Sequence, residues 1–477
     1  MTSEIDKNVS ATKLIVLDPD QAPQTKHASA ADDRARRAKE RDAHAVRWKA
    51  IQEIGGKDAW IAAELHAKGV AVDVDPATLT DADKGSFKER KKAEAKEKRA
   101  LEKLVYQAFR ATHVAYVGSG VYFRDEDDEL PADKDVRLAR AKEHDLTTLE
   151  TPADLARALG VTAPVLRWMC FHRDVSPSSH YHFWTIPKRD GSRRTIMAPK
   201  RELKVAQRWL LRNVFEKLPV HAAAHGFLAE RSIASNARVH AGADVIVKVD
   251  VKDFFPTISW RRVKGLLRRA GIAENVATLI ALLVTESPRE IVQFRGKTLY
   301  VAKGARACPQ GAPSSPAITN AICFRLDKRL SGLARMMGFV YTRYADDLTF
   351  SFAVKKRDKR SRVPAPIGAL LHGVRRILEA EGFRIHEKKT TVMRGGNTQR
   401  VTGLVVNEAP GAPPARVPRD VIRRLRAAIF NRERAKITKP DETLEQIKGL
   451  AAFVYMTDEA RGRAFLDRIA ALDKRGA

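Results

Sequence analysis

The chain has 477 residues, of which 44% are hydrophobic, so it can bury the cores of more than one compact unit and is not disordered throughout. Its 87 Lys and Arg against 58 Asp and Glu give a formal net charge of +29, which points to a polyanionic partner, either nucleic acid or an anionic membrane. No apolar run is long enough to span a bilayer, and no secretory signal or lipidation motif is found, so we expect a cytoplasmic protein with no membrane partner.

The three cysteines, Cys170, Cys308 and Cys323, lie far apart, and none belongs to a CxxC or Cys/His spacing. This pattern predicts neither a disulfide framework nor a zinc site. We expect all three to be small buried hydrophobic residues.

The first part of the chain is rich in charge and poor in apolar periodicity. Residues 1–31 predict a disordered lead, and the Ala/Lys/Glu/Arg-rich segments after it predict helices. Residues 88–99 predict a solvated helix, with an RNA-contacting basic stripe as the alternative. The acidic stretch 124–135 predicts a linker that ends this extension. The apolar face that follows the solvated stretch consists of Leu101, Leu104, Val105 and Phe109.

Mixed helix and strand patterns follow the linker. Thr151 is a capping signal for the first of two short helices broken at Gly160. Segments 181–186 and 194–197 flank a turn at Asp190-Gly191 and predict a β-hairpin. LKVAQRWLLRNVFEKL then predicts an amphipathic helix, and strands alternate with helices to about Asn407. A Pro-rich joint leads into a basic helical tail.

Two acidic sites interrupt segments that otherwise predict strands. Asp250 ends the apolar run VIVKVD, where a lone anion is expensive to bury, so either a cation sits beside it or the strand end is exposed. Asp346 and Asp347 lie side by side in YTRYADDLTFSF, and a tight hairpin would bring both carboxylates near one edge. Together the three acids would make an oxygen-rich pocket of the kind that holds paired Mg²⁺ ions.

Longer motifs carry a resemblance to a family. VKVDVKDFFPTI, CPQGAPSSPAITNAICFRLDKRL and YTRYADDLTFSF occur in the order, and at about the spacing, of the blocks that define reverse transcriptases. SNARVH fits the NAxxH signature and VTGLVVN the VTG signature of one branch. From about Leu146 onward the chain therefore resembles the bacterial retron reverse transcriptases, notably the longer myxobacterial kind, which carries an N-terminal extension.

The resemblance implies an α+β fold: a right-hand polymerase with fingers, a ferredoxin-like palm and a helical thumb, plus a mainly helical N-terminal extension. We expect the extension over residues 1–145, fingers and palm over 146–408, and the thumb over 409–477. The arginine-rich thumb helix suits either solvation or contact with duplex phosphates. Its apolar face consists of Val421, Leu425 and Ile429.

The resemblance also implies catalytic roles. Asp250, Asp346 and Asp347 match the palm acids that bind two Mg²⁺ ions, one of which activates the primer hydroxyl while the other holds the triphosphate and its leaving pyrophosphate. Lys389 matches a late-palm lysine that can donate a proton to pyrophosphate, with Lys388 as the alternative.

Nucleotide contacts follow from the same comparison. Phe255 matches the bulky residue that rejects a 2′-hydroxyl, with an ordinary core Phe as the alternative. Lys188 and Arg194, on the two arms of the hairpin, match the basic pair that grips the triphosphate. Gln310 and Gly311 match positions beside the nucleotide and template, and Ser314 and Ser315 after them are capping candidates.

The branch-specific signatures imply RNA contact. Asn236 and His240 have side chains able to hydrogen-bond RNA, and a packed polar residue at a helix end is the alternative for His240. Thr402 and Gly403 precede an apolar strand, where Gly permits close approach of nucleic acid or of another strand.

A retron enzyme primes from a 2′-hydroxyl of its own structured non-coding RNA (msr-msd), uses dNTPs and makes branched multicopy single-stranded DNA (msDNA). The resemblance thus implies an RNA-directed DNA polymerase with that RNA and its DNA product as partners, an accessory effector as a candidate partner, and a role in antiphage defence. The alternatives are a group II intron-like or diversity-generating reverse transcriptase, and an RNA-protein scaffold that restrains an effector.

Overall fold

The computed structural model describes residues 42–74, 80, 84–125, 130–187, 191–353, 365–436 and 442–473. These residues form two compact units, one ending at His113 and one beginning at Val114. Within the described ranges, no helix has the length and apolarity needed to cross a membrane. The predicted disordered lead, residues 1–31, lies outside the described residues.

The first unit is helical, as its composition predicts. It contains α1 (42–53), α2 (Lys57–Ala67) and α3 (Lys84–Thr112). The first half of α3 is helical and largely exposed, which suits both the solvated helix and the RNA-contacting stripe, and the second half turns an apolar face inward. The unit's core is built from Ile51, Trp60, Ile61, Leu65, Leu101, Val105 and Ala108.

The second unit begins with residues that the sequence assigned to the N-terminal extension. Val114 and Val117 are buried in its main core, and so is Ala141 of α4 (Pro131–Glu143). Part of the stretch predicted as a linker is thus helical, with Pro131 in the first turn, where proline's fixed φ is favourable. Thr151 caps α5 (Pro152–Ala158) through a capping box, as predicted.

The predicted hairpin is confirmed. β2 (Tyr181–Pro187) and β3 (Arg193–Pro199) pair antiparallel, with Ile186 opposite Arg194. The amphipathic pattern after them forms α7 (Arg201–Asn213), which buries Leu203, Ala206 and Leu210. The short helix α6 (Ala163–Cys170) and strand β1 (Val175–Ser176) precede the hairpin.

A four-stranded antiparallel sheet carries the acidic residues. Its order is β7 (Phe339–Tyr344), β8 (Asp347–Phe352), β4 (Val245–Asp250) and β9 (Thr391–Arg394). The two middle strands are buried over most of their length, so both faces of the sheet are covered. A second sheet has the order β1, β6 (Lys297–Ala302), β5 (Arg289–Phe294). The remaining helices of this part are α8 (Ile233–Arg238), α9 (Trp260–Arg269), α10 (Glu274–Leu283), α11 (Ser315–Ile322), α12 (Phe324–Met336) and α13 (Ile367–Ala380).

The C-terminal helices share a second hydrophobic cluster with parts of the preceding chain. These are α14 (Arg419–Glu433), α15 (Leu444–Tyr455) and α16 (Glu459–Asp473). Leu425 and Ile429 of α14 are fully buried and Val421 packs beside them, which confirms the predicted apolar face. The cluster also includes α8 and the small hairpin of β10 (Arg400–Val401) and β11 (Leu404–Val405).

The cysteines are buried and form no disulfide, as expected from their spacing. Cys170, Cys308 and Cys323 all belong to the main core of the second unit. Burial raises the pKa of each thiol, to about 12 for Cys308 and Cys323. All three side chains are therefore neutral thiols at physiological pH.

Candidate active site

The two adjacent acids lie at a tight turn. Strands β7 and β8 pair up to Tyr344 and Asp347, so Ala345 and Asp346 form a two-residue hairpin turn. Ala345 has a φ of +55°, in the left-handed region that favours glycine. Strain of this kind is kept only where the surrounding structure enforces it, and it is common at functional sites.

The third acid comes from the neighbouring strand. Asp250, the last residue of β4, pairs with Asp347 across the sheet. The backbone N–H of Val251 donates to the carbonyl of Asp346 at 3.0 Å, so the chain just after β4 also holds the turn. The sequence prediction of two hairpin acids beside one strand-end acid is confirmed.

Two of the three carboxylates, those of Asp250 and Asp347, each have a lysine partner. Lys389 Nζ lies 3.1 and 3.2 Å from the two carboxylate oxygens of Asp250, and Lys248 Nζ lies 3.4 Å from Asp347 Oδ2. Lys389 is brought there because the N–H of His386 donates to the Asp250 carbonyl at 2.8 Å. The cation expected beside Asp250 is therefore a side chain of the chain itself, and Lys389 rather than Lys388 occupies the position.

Asp346 is the acid without a lysine contact among the described residues. Burial raises the pKa of its carboxyl, and the nearby charges of Asp250 and Asp347 raise it further, while Lys389 opposes them. The turn therefore concentrates negative charge that a bound cation would relieve.

A buried ion pair holds the β7–β8 turn from inside the protein. Arg343 and Asp327 are fully buried, and the guanidinium donates to both carboxylate oxygens at 2.8 to 3.1 Å. Arg343 also donates to Asn320 Oδ1 at 3.1 Å and to the Ala345 carbonyl at 3.3 Å. Burial alone would lower the pKa of Arg343, but Asp327 more than reverses this. Sequence reasoning missed this pair, although Arg343, a charged residue within the strand segment FVYTRY, was an available signal.

The predicted nucleotide-binding residues differ in how far they are exposed. Phe255 is half-buried, and its ring centroid lies 5.7 Å from that of Phe254 and 6.4 Å from that of Phe227. Arg194 is exposed on β3. Lys188 lies outside the described residues.

The loop of Gln310 and Gly311 packs against the hairpin. The Gln310 carbonyl accepts the N–H of Met197 at 2.7 Å. Gly311 has a φ of +115°, and a Cβ there would come within 2.8 Å of Ile196 Cγ2, so only glycine fits. The capping role expected of the next residues is wrong, because Ser314 makes no side-chain cap bond and Ser315 Oγ instead donates to the Pro309 carbonyl.

The side chains of the NAxxH residues are inside the protein. Asn236 and His240 are both 0% exposed. The His240 ring nitrogens lie 2.7 Å from Ser351 Oγ and 2.6 Å from Thr342 Oγ1, which joins the end of α8 to β8 and β7. Burial lowers the pKa of His240 to about 3, so the ring is neutral. This geometry corrects the prediction of direct RNA contact by these side chains, and the packed alternative describes His240.

The VTG residues form a turn. Thr402 and Gly403 connect β10 to β11 with φ values of +46° and +87°. Thr402 Oγ1 donates to the Ile233 carbonyl at 2.9 Å, so the VTG turn is attached to the first turn of α8. A Cβ on Gly403 would meet no atom within 4 Å. The positive φ, and not a close approach by another strand, is therefore what favours glycine at this position.

Comparison with known proteins identifies the class. Residues 186–416 match the family described as reverse transcriptase (RNA-dependent DNA polymerase). The acids and lysines described above lie within this range, and the chain is an RNA-directed DNA polymerase with a reverse-transcriptase fold of mixed helix and sheet.

Curated relatives narrow the class. The retron Mx162 reverse transcriptase of Myxococcus xanthus is 54% identical over 99% of this chain and 98% of its own length. The retron Mx65 reverse transcriptase of the same organism is 42% identical over 68% of this chain and 71% of its own. This chain belongs to the retron reverse transcriptases. Among solved structures, telomerase from Candida albicans shares 14% identity over 82% of this chain and 68% of its own, with a TM-score of 0.35, too low to bear on the fold.

Reverse transcriptases use divalent metal ions. Three carboxylates on adjacent strand ends are the hard oxygen donors that such ions prefer, and the pKa of Asp346 is raised first by burial and then by the negative charges of Asp250 and Asp347. Within the described ranges no three acidic, histidine or cysteine side chains form a ready-made metal site. Asp250 and Asp347 face lysines instead. The three carboxylates therefore fit a divalent ion chemically. Binding of the ion would require Lys389 and Lys248 to move away from Asp250 and Asp347.

Proposed function

We propose that this enzyme copies part of a structured non-coding RNA of the msr-msd type, primed from a 2′-hydroxyl of that RNA, into branched msDNA that acts in antiphage defence. The observation that carries the proposal is the set of three carboxylates at the β4 end and the β7–β8 turn, in a chain 54% identical to a retron enzyme along nearly its whole length. An accessory effector is a further proposed partner.

The architecture we propose is a right hand. Fingers and a ferredoxin-like palm would occupy residues 146–408, a helical thumb 409–477 and an N-terminal extension 1–145. The four-stranded sheet with its acids suits a palm, and the helices α14 to α16 suit a thumb.

We propose Asp250, Asp346 and Asp347 as the ligands of two Mg²⁺ ions. When bound, such ions lower the pKa of a hydroxyl and offset the charge of a triphosphate. The carboxylates would hold them at one sheet edge, because Asp250 and Asp347 are directly opposite in the ladder. Lys389, now on Asp250, would then be free to donate a proton to the leaving pyrophosphate.

The proposed nucleotide contacts are Arg194 and Lys188 on the triphosphate, Phe255 under the sugar, and Gln310 and Gly311 beside the base pair. Support comes from the packing of the 310–311 loop against β3. This contact places Gln310 and Gly311, which precede α11, beside the strand that carries Arg194. A guanidinium fork on an exposed strand suits a phosphate ligand.

For RNA recognition we propose that Thr402 and Gly403 present backbone at an open turn, whereas Asn236 and His240 act by positioning. Open space beside Gly403 and the 0% exposure of the other two side chains support this division. The net charge of +29 supports contact with a large polyanion.

The test is production of branched DNA in cells that express the full chain with the non-coding RNA gene beside its own. The double substitution Asp346→Asn and Asp347→Asn should reduce DNA at least about 10³-fold, because the loss of one electrostatic contact to the transition state alone can have that effect. Asp253→Asn, an exposed acid three residues after Asp250, is the matched control and should keep full activity.

Retained branched DNA in the double variant would overturn the catalytic roles. DNA without a 2′–5′ branch would point instead to a group II intron-like or diversity-generating enzyme. Phage defence that persists when DNA is lost would favour the scaffold alternative.

A further inference from the structure

An exposed phenylalanine stands beside the catalytic turn, and none of the sequence motifs accounts for it. Phe227 is 48% exposed and has a φ of +62°, a conformation that is unusual for a bulky side chain. Its ring centroid lies 6.4 Å from that of Phe255 and 6.4 Å from that of Tyr344. The three rings thus form an aromatic wall, with Phe227 in the middle, next to the turn that carries Asp346.

The backbone around Phe227 is held closely against that turn. A Cβ on Gly226 would come within 2.7 Å of the Ala345 backbone nitrogen, so the segment can lie there only because residue 226 is glycine. The N–H of His225 donates to the Arg343 carbonyl at 2.7 Å. The position of Phe227 is therefore fixed relative to the turn.

The buried ion pair fixes the same segment from the other side. Asn320 Nδ2 donates to the Gly226 carbonyl at 2.9 Å, while Asn320 Oδ1 accepts from Arg343. Arg343 also contacts the Ala345 carbonyl. One buried network thus sets both the catalytic turn and the segment that presents Phe227. Strained backbone persists where the surrounding structure enforces it in this way, and it is common at ligand-binding sites.

We propose that Phe227 is a further nucleotide-binding residue, which packs against the base and sugar of the incoming deoxynucleotide. The inference rests on the proposed roles of Phe255 and the three acids. Flat aromatic faces bind nucleosides regardless of base, so the contact would serve all four dNTPs. It would also extend the wall begun by Phe255 from the sugar toward the base.

The experiment measures steady-state incorporation of each dNTP by the full chain on an RNA template with an annealed DNA primer. Phe227→Gly removes the ring and suits the positive φ, so its thermal midpoint should stay near that of the wild type. We expect its KM for every dNTP to rise about tenfold, the size of one aromatic–base contact, with kcat changed less than threefold. Phe227→Tyr keeps the ring and should retain the wild-type KM.

Phe294→Gly is the matched control, because Phe294 is 56% exposed on β5 and lies outside the proposed site. A KM within twofold of wild type in Phe227→Gly overturns the inference, as does an equal rise in the control. A normal KM in Phe227→Leu would also overturn it, since apolar bulk without a ring would then suffice. Failure of the wild type itself to incorporate dNTPs would instead overturn the proposed function.

Discussion

The hairpin of β7 and β8 has two polar regions that differ in burial and in partners. At its turn, Asp346 and Asp347 are partly exposed, and Asp347 and the neighbouring Asp250 each contact a lysine, so these carboxylates can exchange partners when a ligand arrives. Farther along the same strands, Thr342 and Ser351 hold the neutral ring of His240 in the interior. Both regions carry family motifs, YADD and NAxxH. A family motif therefore does not by itself say what a residue does. Its burial and its partners indicate whether the side chain can bind a ligand or instead stabilises the packing.

The sharpest test of the exposed region is Lys389→Ala. Removing this ammonium takes away the cation on Asp250 and the proposed proton donor, so single-turnover DNA synthesis should slow about 10²-fold. Lys388→Ala is the control, because Lys388 is exposed and adjacent, and it should stay within about threefold of wild type. The reverse result would assign the role to Lys388 and shift the proposed register by one residue.

The buried region should respond through stability and pH. His240 has a pKa of about 3 in the folded chain, below its unfolded value of about 6.5, so the unfolded state binds more protons in that window. The free energy of unfolding should therefore fall as the pH drops below 6.5, by up to about 1.4 kcal/mol per pH unit from this residue. Urea denaturation between pH 7.5 and 5.5 measures the slope.

In His240→Gln the pH slope should be shallower by about one proton. His372→Gln is the control, since His372 is exposed on α13 and its loss should leave the slope unchanged. Equal slopes in wild type and His240→Gln would contradict the buried, neutral ring.

The smallest expected effect concerns the VTG turn. Gly403→Ala places a side chain at a φ of +87° and should lower the free energy of unfolding by about 1 kcal/mol. Gly332→Ala makes the same chemical change on the exposed face of α12 and should raise it by about 0.5–1 kcal/mol. Weaker binding of the non-coding RNA by Gly403→Ala would support the RNA recognition proposed for this turn, and unchanged RNA binding would contradict it.

Sequence reasoning succeeded where short-range pattern decides the structure. The β2–β3 hairpin, α7 and the turn beside Asp250 follow from alternation, amphipathicity and a paired-acid motif. It failed where partners come from distant segments. Lys389 and Asp250 are 139 positions apart, and no local pattern links them.

Burial of polar residues was equally hard to predict. His240 lies two residues after the six-residue helix α8, whose sequence suits a surface as well as an interior. The hydroxyls that receive it lie on strands more than a hundred positions later. The same holds for Arg343 and Asp327, whose mutual neutralisation allows both to be buried. Whether these polar residues are buried therefore depends on partners from distant segments and not on the residue types alone.

The buried thiols have a practical consequence. Cys170, Cys308 and Cys323 are the chain's only cysteines, all inside one core and all with raised pKa values. Maleimides react with exposed thiolates, so the native protein should remain unlabelled while folded. A single cysteine introduced at an exposed position such as Trp184 of the β2–β3 hairpin would then accept one fluorophore, without any need to remove the native three. The wild-type sequence is thus already suited to following the hairpin's motion one molecule at a time.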